Sequence, residues 1–149
     1  MESKEVPKPR YSWNGKTVLV VDDSPAVLAE LKEIYEQIGM RVIGTAQNGI
    51  EALEKLKESK PDLVSLDIIM PEMHGIECYR KIKKAEIPVK CLFISCLANE
   101  PGVAEKFSGE IESFQLLAKP VTIGQLETRL SKLFNPEKDV KPDDEKPLP

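Results

Sequence analysis

Five residues scattered over a hundred positions carry groups suited to one reaction. Asp22 and Asp23 stand directly after the apolar run Thr17 to Val21, and Asp67 directly after Asp62 to Leu66. Ser95 follows Val89 to Ile94, and Lys119 follows Phe114 to Ala118 and precedes Pro120. Carboxylates brought together in this way repel one another, by about 4 kcal/mol per pair at 4 Å in a surface-like dielectric. A hard divalent cation relieves that repulsion, and Mg²⁺ fits because it takes oxygen ligands while keeping waters and phosphate oxygens in its shell. A carboxylate so placed is a nucleophile that forms an acyl phosphate. The cation and Lys119 would neutralise the transferring phosphoryl oxygens, and Ser95 would donate a hydrogen bond to one of them. Such catalysis is mostly positioning and charge neutralisation.

Taken singly, each feature has an ordinary reading. Paired aspartates after a strand favour a helix N-terminus, a lone aspartate caps a loop, and Lys-Pro is a solvated turn. His74 is the only histidine; with no second histidine and no cysteine at ligand spacing it reads as surface. Asn48-Gly49 lacks the further glycines and the Gly-Lys-Ser/Thr of a phosphate loop. The five residues gain meaning only if the elements around them converge.

Those elements are legible in the apolar pattern. Thr17 to Val21 is continuously apolar, as in a strand covered on both faces. Ser24-Pro25 supplies an N-cap and a proline in the first helical turn. Val27, Leu31, Ile34, Tyr35 and Ile38 then share one helical face, and Gly39 ends the helix. Arg41 to Ala46 reads as a second strand, and a helix from Asn48 is expected to turn Ile50, Leu53 and Leu56 inward. The third strand, Asp62 to Leu66, leads through a loop with Pro71 and Gly75 to a helix bearing Ile76, Tyr79 and Ile82. After the fourth strand, Val89 to Ile94, the stretch Glu100 to Glu110 is a weak helix disturbed by Pro101-Gly102. The fifth strand, Phe114 to Ala118, precedes a helix striped by Ile123, Leu126, Leu130 and Leu133. Five such units in order predict an α/β domain, a parallel sheet wound with helices on both faces. In such a sheet every strand ends on one edge, where ligands bind.

A chain of 149 residues suffices for one domain. Residues 1–15 and 135–149, polar and proline-bearing, read as flexible tails flanking a domain at 16–134. A net charge of -4 argues against direct DNA binding, and no apolar run approaches the ~20 residues of a membrane span. Cys78, Cys91 and Cys96 have no metal-like spacing and read as reduced thiols in a cytoplasmic protein.

The chain resembles the receiver domain of bacterial two-component response regulators. The matching segments are Val-Leu-Val-Val-Asp-Asp-Ser-Pro at 18–25, Asp-Leu-Val-Ser-Leu-Asp-Ile-Ile-Met-Pro at 62–71 with Gly75 following, Phe-Ile-Ser-Cys at 93–96 and Ala-Lys-Pro at 118–120. The resemblance implies a flavodoxin-like fold. It implies Asp67 as phosphoacceptor, Mg²⁺ held by Asp22, Asp23, Asp67 and the Ile69 backbone carbonyl, Ser95 as switch hydroxyl and Lys119 as phosphate-binding lysine. It implies a sensor histidine kinase or phosphotransfer protein as donor, a downstream protein as target, and self-phosphotransfer with slow self-dephosphorylation in place of turnover of an outside substrate. Without an output domain the chain is similar to the single-domain chemotaxis regulators. It departs from the family pattern at Leu116, where Tyr or Phe is common, and at Met73-His74-Gly75, where Asp commonly precedes the glycine. A degenerate receiver that binds partners irrespective of phosphate is the competing expectation. A phosphatase acting through an aspartyl phosphate is the other; that chemistry generally spaces its two aspartates by one residue, whereas Asp22 and Asp23 are adjacent.

Overall fold

A computed structural model describes residues 11–134. Its strands are β1 (Thr17–Val21), β2 (Arg41–Ala46), β3 (Leu63–Leu66), β4 (Lys90–Ser95) and β5 (Leu116–Ala118). The helices are α1 (Pro25–Gln37), α2 (Gly49–Ser59), α3 (Gly75–Lys84), α4 (Val103–Lys106) and α5 (Ile123–Leu133). All strand pairs are parallel, in the order β2-β1-β3-β4-β5.

Alternation along each strand divides the core in two. Leu19, Val21, Val64, Leu66, Cys91, Phe93 and Leu116 meet α2 and α3 on one face. Val18, Val20, Leu63, Leu92, Ile94 and Leu117 meet α1 and α5 on the other. Both sheet faces are covered, which is why β1 reads as an unbroken apolar run. The helix starts follow their expected chemistry. Ser24 accepts from Val27 N–H at 3.3 Å and Asn48 from Glu51 N–H at 2.8 Å, each satisfying a donor that the first helical turn leaves orphaned. Gly39 terminates α1 at φ +100°, a backbone region that other residues rarely enter.

Several expectations are corrected. Tyr11 to Gly15 belong to the domain and not to a tail. Trp13 is buried in the α1/α5 face, stacks on Tyr11 with ring centroids 4.4 Å apart, and donates Nε1–H to the Ile38 carbonyl at 2.9 Å. The remaining tail residues, 1–10 and 135–149, lie outside the described residues. Ile50 is exposed, not inward, because Gly49, Ala52 and Leu56 form the buried face of α2. The helix expected over Glu100 to Glu110 shrinks to α4, four residues with none buried. Gly102 (φ +88°) and Gly109 (φ +92°) bound it in left-handed turns. The fifth strand begins at Leu116 because a 3₁₀ turn, Ser113–Gln115, takes the preceding residues.

Candidate functional site

The strand order reverses direction between β1 and β3, and this is where an open α/β sheet leaves a crevice at its carboxyl edge. The ladder itself carries the candidate residues into it. Asp22 N–H donates to the Ala46 carbonyl at 3.0 Å and Asp67 N–H to the Val21 carbonyl at 3.0 Å, so both extend the sheet by one residue. Lys119 N–H likewise reaches the Ser95 carbonyl at 3.3 Å, and the Lys119–Pro120 peptide is cis.

The side chains converge. Oxygens from Asp22, Asp23 and Asp67 all lie within 4.8 Å of one another. Lys119 Nζ bonds Asp22 Oδ2 at 2.6 Å and Asp67 Oδ2 at 3.4 Å. The other Asp22 oxygen accepts from Ser24 N–H at 2.9 Å, so both Asp22 oxygens are engaged. Asp23 is exposed at the mouth. Ser95 is buried, and its hydroxyl accepts from Leu97 N–H at 3.2 Å. Burial raises the Asp67 carboxyl above the ordinary carboxylate range, while Lys119 and the Ser95 hydroxyl pull it back. For Lys119, burial opposes the charge, but Asp22 and Asp67 together outweigh it and hold the ammonium above its usual range.

The donor set suits a hard divalent ion. It is all oxygen, partly open to solvent, and carries two carboxylates, Asp23 and Asp67, that are not fully engaged by protein donors. The Ile68 carbonyl accepts from Gly75 N–H at 2.8 Å. Among the described residues no protein donor binds the Ile69 carbonyl. Ile69 as a residue is 53% exposed.

Two residues support the site in ways the sequence did not reveal: it marks Gly75 only as part of the loop after β3, and Leu97 only as an apolar neighbour of the path of the hydrolysing water. A Cβ on Gly75 would lie 2.0 Å from the Asp67 carbonyl oxygen, so only glycine lets α3 begin against the backbone of Asp67. The Pro71 to Gly75 spacing was the available signal. Leu97, whose N–H holds Ser95, has no sequence signature for that contact. His74 is exposed, at the surface position expected from the sequence. No helix among the described residues is long and apolar enough to cross a membrane. The cysteines are free, with Cys78 and Cys91 buried and Cys96 exposed.

Residues 18–131 match the family model of the response regulator receiver domain. The chain is 38% identical over 119 residues to the chemotaxis protein CheY of Thermotoga maritima, covering 80% of this chain and 98% of that protein. It is 31% identical over 118 residues to the chemotaxis protein CheY of Bacillus subtilis, covering 79% and 97%. The fold matches a chain of the CheX-CheY-BeF3-Mg+2 complex from Borrelia burgdorferi with a TM-score of 0.70 and 30% identity, over 80% of this chain and 89% of that one. An acidic crevice flanked by lysine and serine at the strand ends of a five-stranded parallel sheet thus accompanies the sequence match, and the chain belongs to the response regulator receiver domain family.

Proposed function

We propose that this chain is a phosphorylation-activated response regulator of the cytoplasm, with Asp67 as phosphoacceptor. The observation that carries the reading is the convergence of Asp67, Asp22, Asp23 and Lys119 in one crevice. The donor is a phosphohistidine on a sensor histidine kinase or phosphotransfer protein. An Asp67 oxygen attacks phosphorus, the P–N bond breaks, and the departing imidazole keeps the electron pair and takes up a proton. Asp22, Asp23, Asp67 and the Ile69 carbonyl would hold Mg²⁺, which supplies charge neutralisation at the phosphoryl oxygens when bound; the Borrelia relative was crystallised with Mg+2. Asp23, exposed and without a donor among the described residues, is the readier direct ligand, whereas Asp22 positions Lys119.

Phosphorylation adds about -1.5 to -2 charge and three acceptor oxygens. These oxygens draw Lys119 from its carboxylate partners and turn the Ser95 hydroxyl toward the phosphoryl group, away from Leu97 N–H. The segments after β4 and β5 then shift and alter a surface offered to a downstream protein, biasing a pre-existing equilibrium. In this family the residues two beyond the phosphoacceptor and two beyond the switch hydroxyl flank the path of the hydrolysing water; here these are Ile69 and Leu97, which are apolar and cannot orient that water, so the acyl phosphate decays slowly. Incubation with Mg²⁺ and a small acyl phosphate should add one phosphoryl mass to the chain and none to Asp67→Asn. An unmodified parent chain overturns the reading.

One observation favours a second reading. Leu116, where the family commonly has an aromatic residue, is buried in the α2/α3 face, so no ring is present there to swing with Ser95. A phosphate-independent adaptor would bind its partner equally with and without phosphoryl donor.

A further inference from the structure

α2 and α3 begin at the carboxyl edge of the sheet, at Gly49 and Gly75, and pack together down to the opposite edge, where they end at Ser59 and Lys84. The last turn of each is basic, with Lys57 on α2 and Lys81, Lys83 and Lys84 on α3. A lysine in a last turn ordinarily serves the negative end of the helix dipole, and on a single helix it would carry no further meaning. Here lysines from two helices face a common cleft. Lys57, Lys81 and Lys84 line about 240 Å³ together with Leu53, Ala85 and Ile87. Among the described residues no carboxylate lines it. Glu54, Glu58, Glu77 and Glu86 are neighbours in sequence, yet none lines the cleft or lies within ion-pair distance of the three lysines. Arg80 on the same helix shows the alternative, since Glu110 holds it through two bonds at 2.7 and 2.8 Å. Other clefts of the domain carry their own acids: Glu77 near Ile69, Glu110 and Glu112 near Tyr79, and Asp62 near Pro88.

The floor of this cleft is apolar. Leu53 and Ile87 are partly buried and pack against the α2/α3 face of the core, while the three lysines are exposed around them. Size and charge together select the occupant. Sites for free small molecules run to about 300–1,000 Å³, so this smaller cleft suits one large side chain. Lysine stems cover apolar surface while their ammonium groups stay in water, so the matching side chain is apolar and its neighbours are acidic. A bilayer presents a flat surface and does not fill a concavity between two helices. Nucleic acid asks for a longer basic track, and the chain carries a net charge of -4.

We propose that the cleft of Lys57, Lys81 and Lys84 is a docking site for an acidic segment of a partner protein, with one large apolar side chain seated on Leu53, Ala85 and Ile87. The acids on either side of that anchor steer the encounter and fix its register, and the anchor supplies the buried contact. Gly75 and Lys84 stand about 14 Å apart along α3, so a partner held at this end leaves the crevice around Asp67 open to a phosphodonor. The contact is independent of phosphate at Asp67. It is therefore tested on the unphosphorylated chain without Mg²⁺, and its failure leaves the phosphoacceptor reading untouched.

The test is titration of the ¹⁵N-labelled full chain with the synthetic peptide Asp-Glu-Phe-Glu-Asp, its ends blocked. The amide resonances of Leu53, Lys57, Lys81, Lys84 and Ala85 should shift saturably, and those of Asp22 and Asp67 should stay in place. Binding should weaken about fivefold in 1 M salt. A peptide with Ser for Phe, and one with Asn and Gln for the acids, should each bind about tenfold more weakly. Joint replacement Lys57→Gln, Lys81→Gln and Lys84→Gln should weaken the parent peptide by about the same factor; the peptide series on the unaltered chain decides the matter whether or not that variant folds. No saturable shift, shifts spread over lysines elsewhere such as Lys32 and Lys132, or equal binding of the Ser peptide would each overturn the proposal. A response of the same resonances to phosphatidylserine vesicles and not to the peptide would overturn it in favour of a membrane surface.

Discussion

Replacing Lys119 by methionine removes the cation that bonds both Asp22 and Asp67 while retaining most of the aliphatic stem. At the observed separations of 2.6 and 3.4 Å, the gross attractions are about 6 and 5 kcal/mol for an effective dielectric near 20. Dehydration of the ammonium opposes them. Without it, carboxylate oxygens within 4.8 Å repel by about 3.5 kcal/mol or more on the same scale. Breaking a fully buried pair costs about 3–5 kcal/mol. Here the lysine side chain is 18% exposed, water screens part of the interaction, and Asp67 can take up a proton, so the expected loss is about 2–3 kcal/mol. For a domain of this size that lowers Tm by about 8–12 °C. Mg²⁺ at ten times its Kd stabilises by about 1.4 kcal/mol in the parent. Its effect should be larger in Lys119→Met, because the ion replaces the missing positive charge. Thermal unfolding of both chains with and without Mg²⁺ measures both effects. A variant melting within about 2 °C of the parent, with the same Mg²⁺ increment, would show that Lys119 does not balance the acidic cluster.

Other perturbations probe the same site. Because burial raises the Asp67 carboxyl, the folded state favours its protonated form. The stability this group contributes is fully present below the unfolded value of 3.8 and is lost as pH rises through the raised folded value. Without metal, Asp67→Asn should therefore be the more stable chain at neutral pH, and the difference should vanish toward pH 4 in urea unfolding; a constant difference contradicts the assigned burial. Gly75→Ala, which places a Cβ 2.0 Å from the Asp67 carbonyl oxygen, should cost about 3 kcal/mol and slow phosphoryl uptake at saturating Mg²⁺; wild-type uptake would mean that the loop yields without moving Asp67. Ile69→Asn places a hydrogen-bonding group beside the crevice and should speed loss of the acyl phosphate several-fold, read as decay of the phosphorylated mass; an unchanged or slower decay refutes the water-exclusion argument.

Local signals were reliable wherever burial and backbone chemistry agree. The all-apolar β1, the Ser24 and Asn48 caps and Gly39 each express a constraint acting within a few residues, so they are legible in order along the chain. The candidate site was also legible, since a parallel sheet sends every strand end to one edge and Asp22, Asp23, Asp67, Ser95 and Lys119 each sit at such an end. The misreadings arose where the partner is distant. Trp13 reads as tail until its indole N–H meets the Ile38 carbonyl across 25 residues. Ile50 counts as core only if its helix is rotated toward it, and Ala52 and Leu56 turn α2 the other way. Glu100 to Glu110 holds apolar residues, yet Gly102 and Gly109 in left-handed turns and the anchoring of Glu110 by Arg80 leave room for a single helical turn.

By itself the sequence determined the number and order of strands, the edge on which the acids gather, and hence the chemistry open to them. Only the tertiary structure decided the rest: that both Asp22 oxygens are engaged while Asp23 faces solvent, that Gly75 abuts the Asp67 backbone, and that three lysines share a cleft. Element order follows from periodicities of two and about 3.6 residues, which are properties of neighbours along the chain. The division of hydrogen bonds among Asp22, Asp67 and Lys119 is set by ångström-scale distances between residues up to 97 positions apart, and no local pattern encodes those.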